Sequence, residues 1–288
     1  RMLHHILPPH REAPMSPDYR KGISSRITSL HLPNSTLSGT LPLSFTSLSS
    51  LTSLDLSSNS LSGPIPASLS RLASLQSLLL FSNQFSGSLP PSLSLLSSLS
   101  ILRIGDNPLL SGSIPHSFSN LQDLRILGLA SCNLTGSIPP QLGFLSNLTI
   151  LRLDGNSLSG HIPVELSFLS SLTVLQLENN NLSGHIPLQL GKLTQLEDLS
   201  LYTNSLSGTI PKELSKLTLL TNLNLKENHL SGPIPPELGS LSSLTILDLS
   251  VNNLSGTIPA SLGNLSKLEF LVLRNNSLSG TIPKSLFN

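Results

Sequence analysis

The sequence predicts a solenoid in which short structural repeats stack side by side. A skeleton of leucines, one asparagine and an Ile-Pro pair returns at a constant interval from Ile27 to the C-terminus, and one repeat is longer by a single residue. The segment from Leu244 to Lys267, LTILDLSVNNLSGTIPASLGNLSK, shows one full period of this skeleton. Aromatic residues make up only 3% of the chain and tryptophan is absent, so aliphatic side chains must build the core. A fixed period of about 24 residues is typical of architectures in which each repeat packs only on its neighbours.

This period divides the chain into two regions. Residues 1–26 do not match the skeleton and are rich in proline, histidine and basic residues, so they are predicted to form a loosely ordered leader or a degenerate cap. Residues 27–288 hold eleven repeats, the last of which stops before its period is complete. The chain begins with arginine, and Pro8 and Pro9 break its short apolar start. We therefore expect a piece of a longer product, which leaves room for a signal peptide or membrane anchor outside it.

Charge and cysteine content exclude several functional classes. The 16 basic and 15 acidic residues nearly balance, which argues against binding to nucleic acid or to an anionic membrane surface. No window of about 18 apolar residues exists, so this segment is not expected to insert into a membrane. Cys132 is the only cysteine, which rules out an intrachain disulfide and a CxxC metal site.

Each repeat begins with a strand pattern, and in all but the first and the fifth an asparagine follows it. The apolar residues of LxxLxLxx alternate, which suits a short strand with one buried face. The asparagine that follows can bond backbone groups of its own repeat and the next, because its amide carries two donors and an acceptor. This predicted ladder contains Asn59, Asn83, Asn107, Asn156, Asn180, Asn204, Asn228, Asn252 and Asn276. Cys132 occupies the same register, where we interpret it as a small buried replacement for asparagine.

The second half of each repeat predicts a bend, a short strand and a turn. In Ser62-Gly63-Pro64-Ile65-Pro66 the glycine allows a positive φ, while proline limits any strand to a short one. The closing xxLxxLxx has the spacing of a short helix or a 3-10 turn, and its serines and threonines disfavour long helices.

The combined pattern LxxLxLxxNxLSGxIPxxLxxLxx resembles the plant-type leucine-rich repeat and covers nearly all of residues 27–288. The resemblance implies an α/β solenoid, a superhelix with a concave parallel β-sheet, a second short β-sheet at SGxIP, and 3-10 or short helical turns on the convex side. The family includes ectodomains of plant receptor-like kinases, receptor-like proteins and polygalacturonase inhibitors. Its members usually carry a tryptophan-containing disulfide cap at the start, and many end with another cysteine pair. Both are missing here.

No set of residues in the sequence predicts catalysis or cofactor binding. There is no nucleophile elbow, no glycine-rich phosphate loop and no HExxH motif. His161 and His185 occupy the same SGHIP position in adjacent repeats, so direct pairing would place them about 4.8 Å apart. Two ligands are too few for a good metal site, so we expect neither a metal nor an enzyme.

The positions between the strand leucines are predicted to face the concave side in two columns, because side chains alternate along a strand. The first column reads His31, Asp55, Leu79, Arg103, Gly128, Arg152, Gln176, Ser200, Asn224, Asp248 and Val272. The second reads Pro33, Ser57, Phe81, Gly105, Ala130, Asp154, Glu178, Tyr202, Lys226, Ser250 and Arg274.

The densest polar and aromatic group in these columns is the predicted ligand-binding site, here named the concave patch. It consists of Arg152, Asp154, Gln176, Glu178, Tyr202, Asn224 and Lys226. Tyrosine and arginine are common interface anchors, and mixed charge suits a peptide or protein. Receptors of the resembled family often hold a peptide carboxylate with paired arginines, but Asp154 stands where the second arginine would be. The alternative is an ordinary solvated surface with Arg152 paired to Asp154 or Glu178.

The leading functional hypothesis is the extracellular ligand-sensing region of a receptor-like kinase or receptor-like protein. The expected partners are a peptide or protein on the concave face and a co-receptor, with attachment to the plasma membrane through a part outside this chain. A secreted inhibitor of a cell-wall-degrading enzyme and an intracellular scaffold are the alternatives. If the chain enters the secretory path, its sequons are glycosylation sites. These are Asn34, Asn133, Asn147, Asn181, Asn253, Asn264 and Asn275.

Overall fold

Two parallel sheets of eleven strands each run along the whole solenoid. The computed structural model describes residues 27–287, so the prediction for residues 1–26 lies outside the described residues. Within each sheet the strands follow one another in chain order, one from every repeat. This confirms the α/β solenoid with a concave parallel sheet and a second sheet at the SGxIP segment.

The first sheet lines the concave side with three-residue strands. Its members are Ser29–His31 (β1), Ser53–Asp55 (β3), Ser77–Leu79 (β5), Ile101–Arg103 (β7), Ile126–Gly128 (β9), Ile150–Arg152 (β11), Val174–Gln176 (β13), Asp198–Ser200 (β15), Asn222–Asn224 (β17), Ile246–Asp248 (β19) and Phe270–Val272 (β21). The central leucines, such as Leu151, Leu175 and Leu199, are fully buried, so the opposite faces of these strands point to the concave side.

The second sheet consists of strands that begin just after the ladder position of each repeat, which is an asparagine in all repeats but two, where Ser35 and Cys132 replace it. Its members are Ser38–Thr40 (β2), Ser60–Pro64 (β4), Gln84–Ser88 (β6), Leu109–Gly112 (β8), Asn133–Gly136 (β10), Ser157–His161 (β12), Asn181–His185 (β14), Ser205–Gly208 (β16), His229–Pro233 (β18), Asn253–Thr257 (β20) and Ser277–Ser279 (β22).

Single 3-10 turns close the repeats on the convex side. They are Leu43–Ser47, Ala67–Arg71, Pro91–Leu95, His116–Asn120, Pro140–Phe144, Val164–Phe168, Leu188–Lys192, Lys212–Lys216, Pro236–Ser240, Ala260–Asn264 and Lys284–Phe287. The proline of the motif precedes each of the first ten turns in an extended conformation, as Pro187 does with φ −62° and ψ 123°. A short turn leaves room for one buried leucine, which at this turn is Leu190.

The asparagine ladder forms as predicted. The side-chain amide of Asn180 donates to the carbonyls of Leu153 at 3.0 Å and Leu177 at 3.1 Å. Its Oδ1 accepts the backbone N–H of Leu158 at 2.9 Å. One side chain therefore satisfies backbone groups of two repeats, groups that would each cost about 1–3 kcal/mol if left buried and unpaired.

Cys132 and the extra residue of the fourth repeat compensate for each other. In a regular repeat the asparagine Oδ1 accepts a backbone N–H from the preceding repeat, as Asn180 does from Leu158. A thiol has no such oxygen. In this repeat the affected N–H belongs to Leu110, which donates instead to the carbonyl of Asn107 at 3.0 Å. Burial raises the pKa of the Cys132 thiol to about 11, as expected of an inert structural cysteine.

The predicted stacking of His161 on His185 is wrong. Strands of the second sheet pair with a stagger that falls short of the full repeat, so His161 pairs with Ser183 and not with the next histidine. The imidazole of His161 lies over Gly184, whose φ is +76°, and a Cβ at that glycine would collide with it. Glycine is therefore required there for two reasons, the positive φ and the close approach of the neighbouring side chain. Within residues 27–287, no group of three or more His, Cys, Asp or Glu could hold a metal ion.

Candidate ligand-binding site on the concave face

Strand pairing aligns the first concave column as predicted. Arg152 pairs with Gln176 between β11 and β13. Gln176 then pairs with Ser200, and Ser200 with Asn224. Because the register of the first sheet matches the repeat, residues of one column are direct neighbours on adjacent strands.

Backbone hydrogen bonds beyond the strands align the second column. The N–H of Asn179, next to Glu178, donates to the carbonyl of Tyr202 at 3.0 Å. The N–H of Thr203 donates in the same way to the carbonyl of Lys226 at 2.9 Å. The structure thus brings the seven residues of the concave patch into one continuous area.

Arg152 forms a loose ion pair with Asp154. Its Nε lies 3.6 Å from Asp154 Oδ1, beyond hydrogen-bonding distance, and the two side chains are 44% and 15% exposed. Neither of these two atoms has a hydrogen-bond partner. A contact of this kind contributes little to stability, so the guanidinium can move at small cost.

Glu178 is buried, although its column was predicted to face solvent. Only 7% of its surface is exposed, and its Oε2 has no hydrogen-bond partner. Burial raises the pKa of this carboxyl to about 7, and the negative charges of Asp154 and Asp198 add to the effect. Burial likewise raises the pKa of Asp154, against the opposing influence of Arg152.

Asp198 joins the site from a position that the two predicted columns omit. Its Oδ2 accepts a hydrogen bond from the amide of Gln176 at 2.7 Å, and its Oδ1 accepts one from the amide of Asn222 at 2.6 Å. Ser200 Oγ also donates to Oδ1 at 3.1 Å. A signal for this existed, because the residue that starts each concave strand is apolar from Ile101 to Val174 and becomes polar at Asp198 and Asn222.

The other end of the concave patch is more fully bonded. Asn224 Oδ1 accepts the backbone N–H of Lys226 at 3.2 Å. Lys226 Nζ lies 3.3 Å from a carboxylate oxygen of Glu227, whose other oxygen accepts from Thr203 at 2.7 Å. Tyr202 is half-buried and lies between Glu178 and Lys226 in the second column.

Small residues next to the patch create a depression in the concave face. Gly105, Gly128 and Ala130 contribute to the lining of a cavity of about 70 Å³, and Arg152 and Asp154 line it as well. Arg103 and Phe81 also line it, with the guanidinium carbon 4.4 Å from the ring centroid, and Asp106 and Ser131 complete the lining. The sequence predicted that small residues interrupt the columns here, and in the structure this interruption is a shallow cavity.

The seven sequon asparagines are all exposed in the structure. The ladder asparagines, by contrast, are buried or half-buried. The accessibility of the sequons is compatible with glycosylation, which stays a prediction. No helix among residues 27–287 is both long and apolar enough to cross a bilayer.

Comparison with sequence families decides the family. The profile described as "Leucine-rich repeat region" matches residues 75–232, more than half of the chain. The chain belongs to the leucine-rich repeat family. Further leucine-rich repeat profiles match residues 25–85, 243–265 and 267–288. A comparison with curated protein sequences found no match.

Solved structures of plant receptors share this leucine-rich repeat fold. The ectodomain of the membrane receptor kinase GASSHO1/SCHENGEN3 from Arabidopsis thaliana, crystallised with CASPARIAN STRIP INTEGRITY FACTOR 2, is 49% identical over 90% of this chain, with a TM-score of 0.89. The Arabidopsis receptor kinase HAESA, in complex with the peptide hormone IDA and the co-receptor SERK1, is 41% identical over 90% of this chain, with a TM-score of 0.84. This chain spans 31% of the first structure and 47% of the second.

A plant ice-binding protein also shares the fold. It is 30% identical over 86% of this chain, which spans 79% of that protein, with a TM-score of 0.72. The resemblance to plant-type leucine-rich repeat ectodomains is confirmed by these likenesses, and the receptor ectodomains are the more similar in sequence.

Proposed function

We propose that this chain is the ligand-sensing part of a plant receptor-like kinase or receptor-like protein, and that it binds a peptide or protein on the concave patch. The likeness to receptor kinase ectodomains, two of them in complex with CASPARIAN STRIP INTEGRITY FACTOR 2 and IDA, supports this class. The same likeness supports an extracellular location, attachment to the plasma membrane through another part of the protein, and a co-receptor as second partner.

The observation that carries the site assignment is the state of the concave patch. Its polar groups at Arg152, Asp154, Gln176 and Glu178 each retain an atom without a hydrogen-bond partner. Unpaired buried polar groups are costly in a folded protein and gain most when a ligand supplies the missing partner. Tyr202 adds an aromatic ring beside them, and tyrosine is one of the residue types enriched among the residues that contribute most to binding energy at interfaces.

Affinity measurements on the recovered partner test this proposal. Immobilised chain is used to capture a binding protein or peptide from plant extracellular fluid, and the affinity of the captured partner is then measured for variants. Tyr202→Ala and Arg152→Ala should each weaken binding at least about tenfold. His185→Ala, on the exposed second sheet, is the matched control and should bind as the parent does. Unchanged affinity in both patch variants, together with lost binding in His185→Ala, would place the site elsewhere.

A further inference from the structure

Carboxylates outnumber cations on the side of the concave patch that includes Glu178. Asp154, Glu178 and Asp198 lie close enough for the two aspartates to raise the pKa of Glu178. Arg152 is the only cation among the residues acting on that carboxyl, and it contacts only Asp154 within ion-pair distance. Lys226 forms an ion pair with Glu227, with Nζ 3.3 Å from Oε1. The site therefore carries negative charge that its own side chains leave unbalanced.

The unpartnered atoms here are mostly hydrogen-bond acceptors. Gln176 gives its amide N–H to Asp198 and keeps Oε1 without a donor. Glu178 Oε2 is unpartnered on a side chain that is only 7% exposed. Asp154 Oδ1 has no hydrogen-bond partner and lies 3.6 Å from Arg152 Nε. Three acceptors from three residues thus lack a donor in one small area.

Resting on the proposed function above, we propose that the concave patch binds the cationic side chain of a lysine or arginine of its peptide ligand, with Glu178 as the main acceptor and Asp154 and Gln176 beside it. An ammonium carries three N–H donors and a guanidinium carries five, and neither carries an acceptor. Such a group supplies both the positive charge and the donors that the site lacks. An anionic ligand group supplies neither.

The same side chains provide a way in. Arg152 lies beside Asp154 with a side chain that is 44% exposed and held by one long contact. Its guanidinium can turn from Asp154 toward another group of the ligand when the ligand's cation reaches Asp154, because exposed ion pairs are weak, and Arg152 thereby remains an anchor of the complex. Tyr202, the next residue of the second column, offers a ring against which a cationic group or its aliphatic stem can pack.

Proton release accompanies this binding. Glu178 has a pKa of about 7 in the free protein, because burial and the charges of Asp154 and Asp198 disfavour its ionised form while Arg152 opposes them weakly. A bound cation favours the ionised form and must compete with the proton. Binding should therefore be weaker at about pH 5.5 than at about pH 8, by up to about thirtyfold, the limit that linkage to one group of this pKa sets when only the ionised form binds.

Small probes allow a test without knowledge of the natural ligand. Nα-acetyl-arginine amide and its uncharged isostere Nα-acetyl-citrulline amide are titrated into the full chain, and carboxylate carbons of labelled Asp and Glu are followed by NMR. We expect the arginine probe to shift the Glu178 resonance and lower its midpoint pH, with the citrulline probe binding at least about tenfold more weakly. Read from the carboxylate resonances of Asp154 and Asp198, which remain in both variants, Glu178→Gln should abolish the response to the arginine probe, and Glu269→Gln, an exposed glutamate of the last repeat, should preserve it.

Three results would overturn the inference: equal binding of the two probes, full binding by Glu178→Gln, or binding that strengthens as pH falls. The proposed function fails separately. A captured natural partner that depends on Tyr202 but is indifferent to removal of its own basic residues would leave the receptor assignment standing and reject the basic-residue site.

Discussion

Two stretches of the concave face carry carboxylates in the same two columns yet differ in how those carboxylates are bonded. At the C-terminal end, Asp248 Oδ1 accepts the backbone N–H of Ser250 at 2.9 Å and its hydroxyl at 2.6 Å. In the concave patch, Gln176 and Glu178 occupy the equivalent positions, and each keeps an unpartnered oxygen. Asp55 and Ser57 repeat the self-contained arrangement near the other end. Polarity alone is thus a poor indicator of a binding site, and unsatisfied polarity in a buried setting is a better one.

The largest expected effect tests whether both stretches rest on equally packed cores. Leu177 lies beneath the concave patch and Leu249 beneath Asp248 and Ser250, and both are fully buried. Replacement of either by alanine should lower the free energy of unfolding by about 2–5 kcal/mol through lost burial and a cavity. Urea denaturation gives this value. If Leu177→Ala lowered the free energy of unfolding by less than about 1 kcal/mol while Leu249→Ala lowered it by more, the core beneath the concave patch would be less tightly packed. The two stretches would then differ in core packing as well as in hydrogen bonding.

The next effect concerns the ladder that holds the patch in register. Asn180→Ala removes the amide that bonds the carbonyls of Leu153, Leu177 and Glu178. We expect a loss of about 1–3 kcal/mol in the free energy of unfolding, because buried backbone groups lose their partners. Asn252→Ala, the same change beneath Ser250, is the matched variant and should cost a similar amount. A large difference between the two midpoints in urea would show that the ladder is unequal along the solenoid.

The pH dependence of stability separates the two stretches directly. The folded-state pKa of Glu178 is about 7, above the ordinary value of 4.5, so the folded chain holds a proton that the unfolded chain releases. The stability that comes from this bound proton is fully present below about pH 4.5 and is lost as the pH rises through about 7. Over that range the free energy of unfolding should fall by about 2 kcal/mol, allowing for partial screening by solvent.

Glu178→Gln should remove that fall, since glutamine does not titrate. Asp248→Asn should keep it, since the Glu178 carboxyl remains. Urea unfolding between about pH 5 and about pH 8 measures how the free energy of unfolding of each variant changes with pH. A parent protein whose stability is flat across this range would mean that Glu178 ionises without penalty, and the difference between the two stretches would then be one of geometry alone.

The smallest expected effect lies at the irregular repeat beside the patch. Cys132→Ala should cost less than about 1 kcal/mol, because Leu110 already donates its N–H to the carbonyl of Asn107. The thiol makes only long contacts, 3.5 Å to the carbonyl of Ala130 and 3.9 Å to that of Ile104. Thermal unfolding of this variant beside Asn180→Ala provides the measurement. Equal losses for the two would contradict the view that the extra residue replaces the missing amide.

The sequence by itself determined the solenoid, the buried leucines, the asparagine ladder and the alignment of the concave columns. These follow from a period that places equivalent residues at equivalent positions, so one regular repeat specifies the backbone of the other regular repeats. Leu151, Leu175 and Leu199 could be assigned to the core from their spacing alone, and Arg152 and Gln176 to adjacent positions on the concave face.

Only the tertiary structure decided which of these side chains find partners. The burial of Glu178, the entry of Asp198 into the site and the stagger that separates His161 from His185 did not follow from the repeat pattern. The first two depend on contacts between side chains of adjacent repeats, as the bond from Gln176 to Asp198 does, whereas the stagger is a backbone register that recurs between other strands of the second sheet. The period determines the backbone position of each of these side chains. Their rotamers and shared hydrogen bonds depend on the residues that flank them in neighbouring repeats, and those residues differ from one repeat to the next.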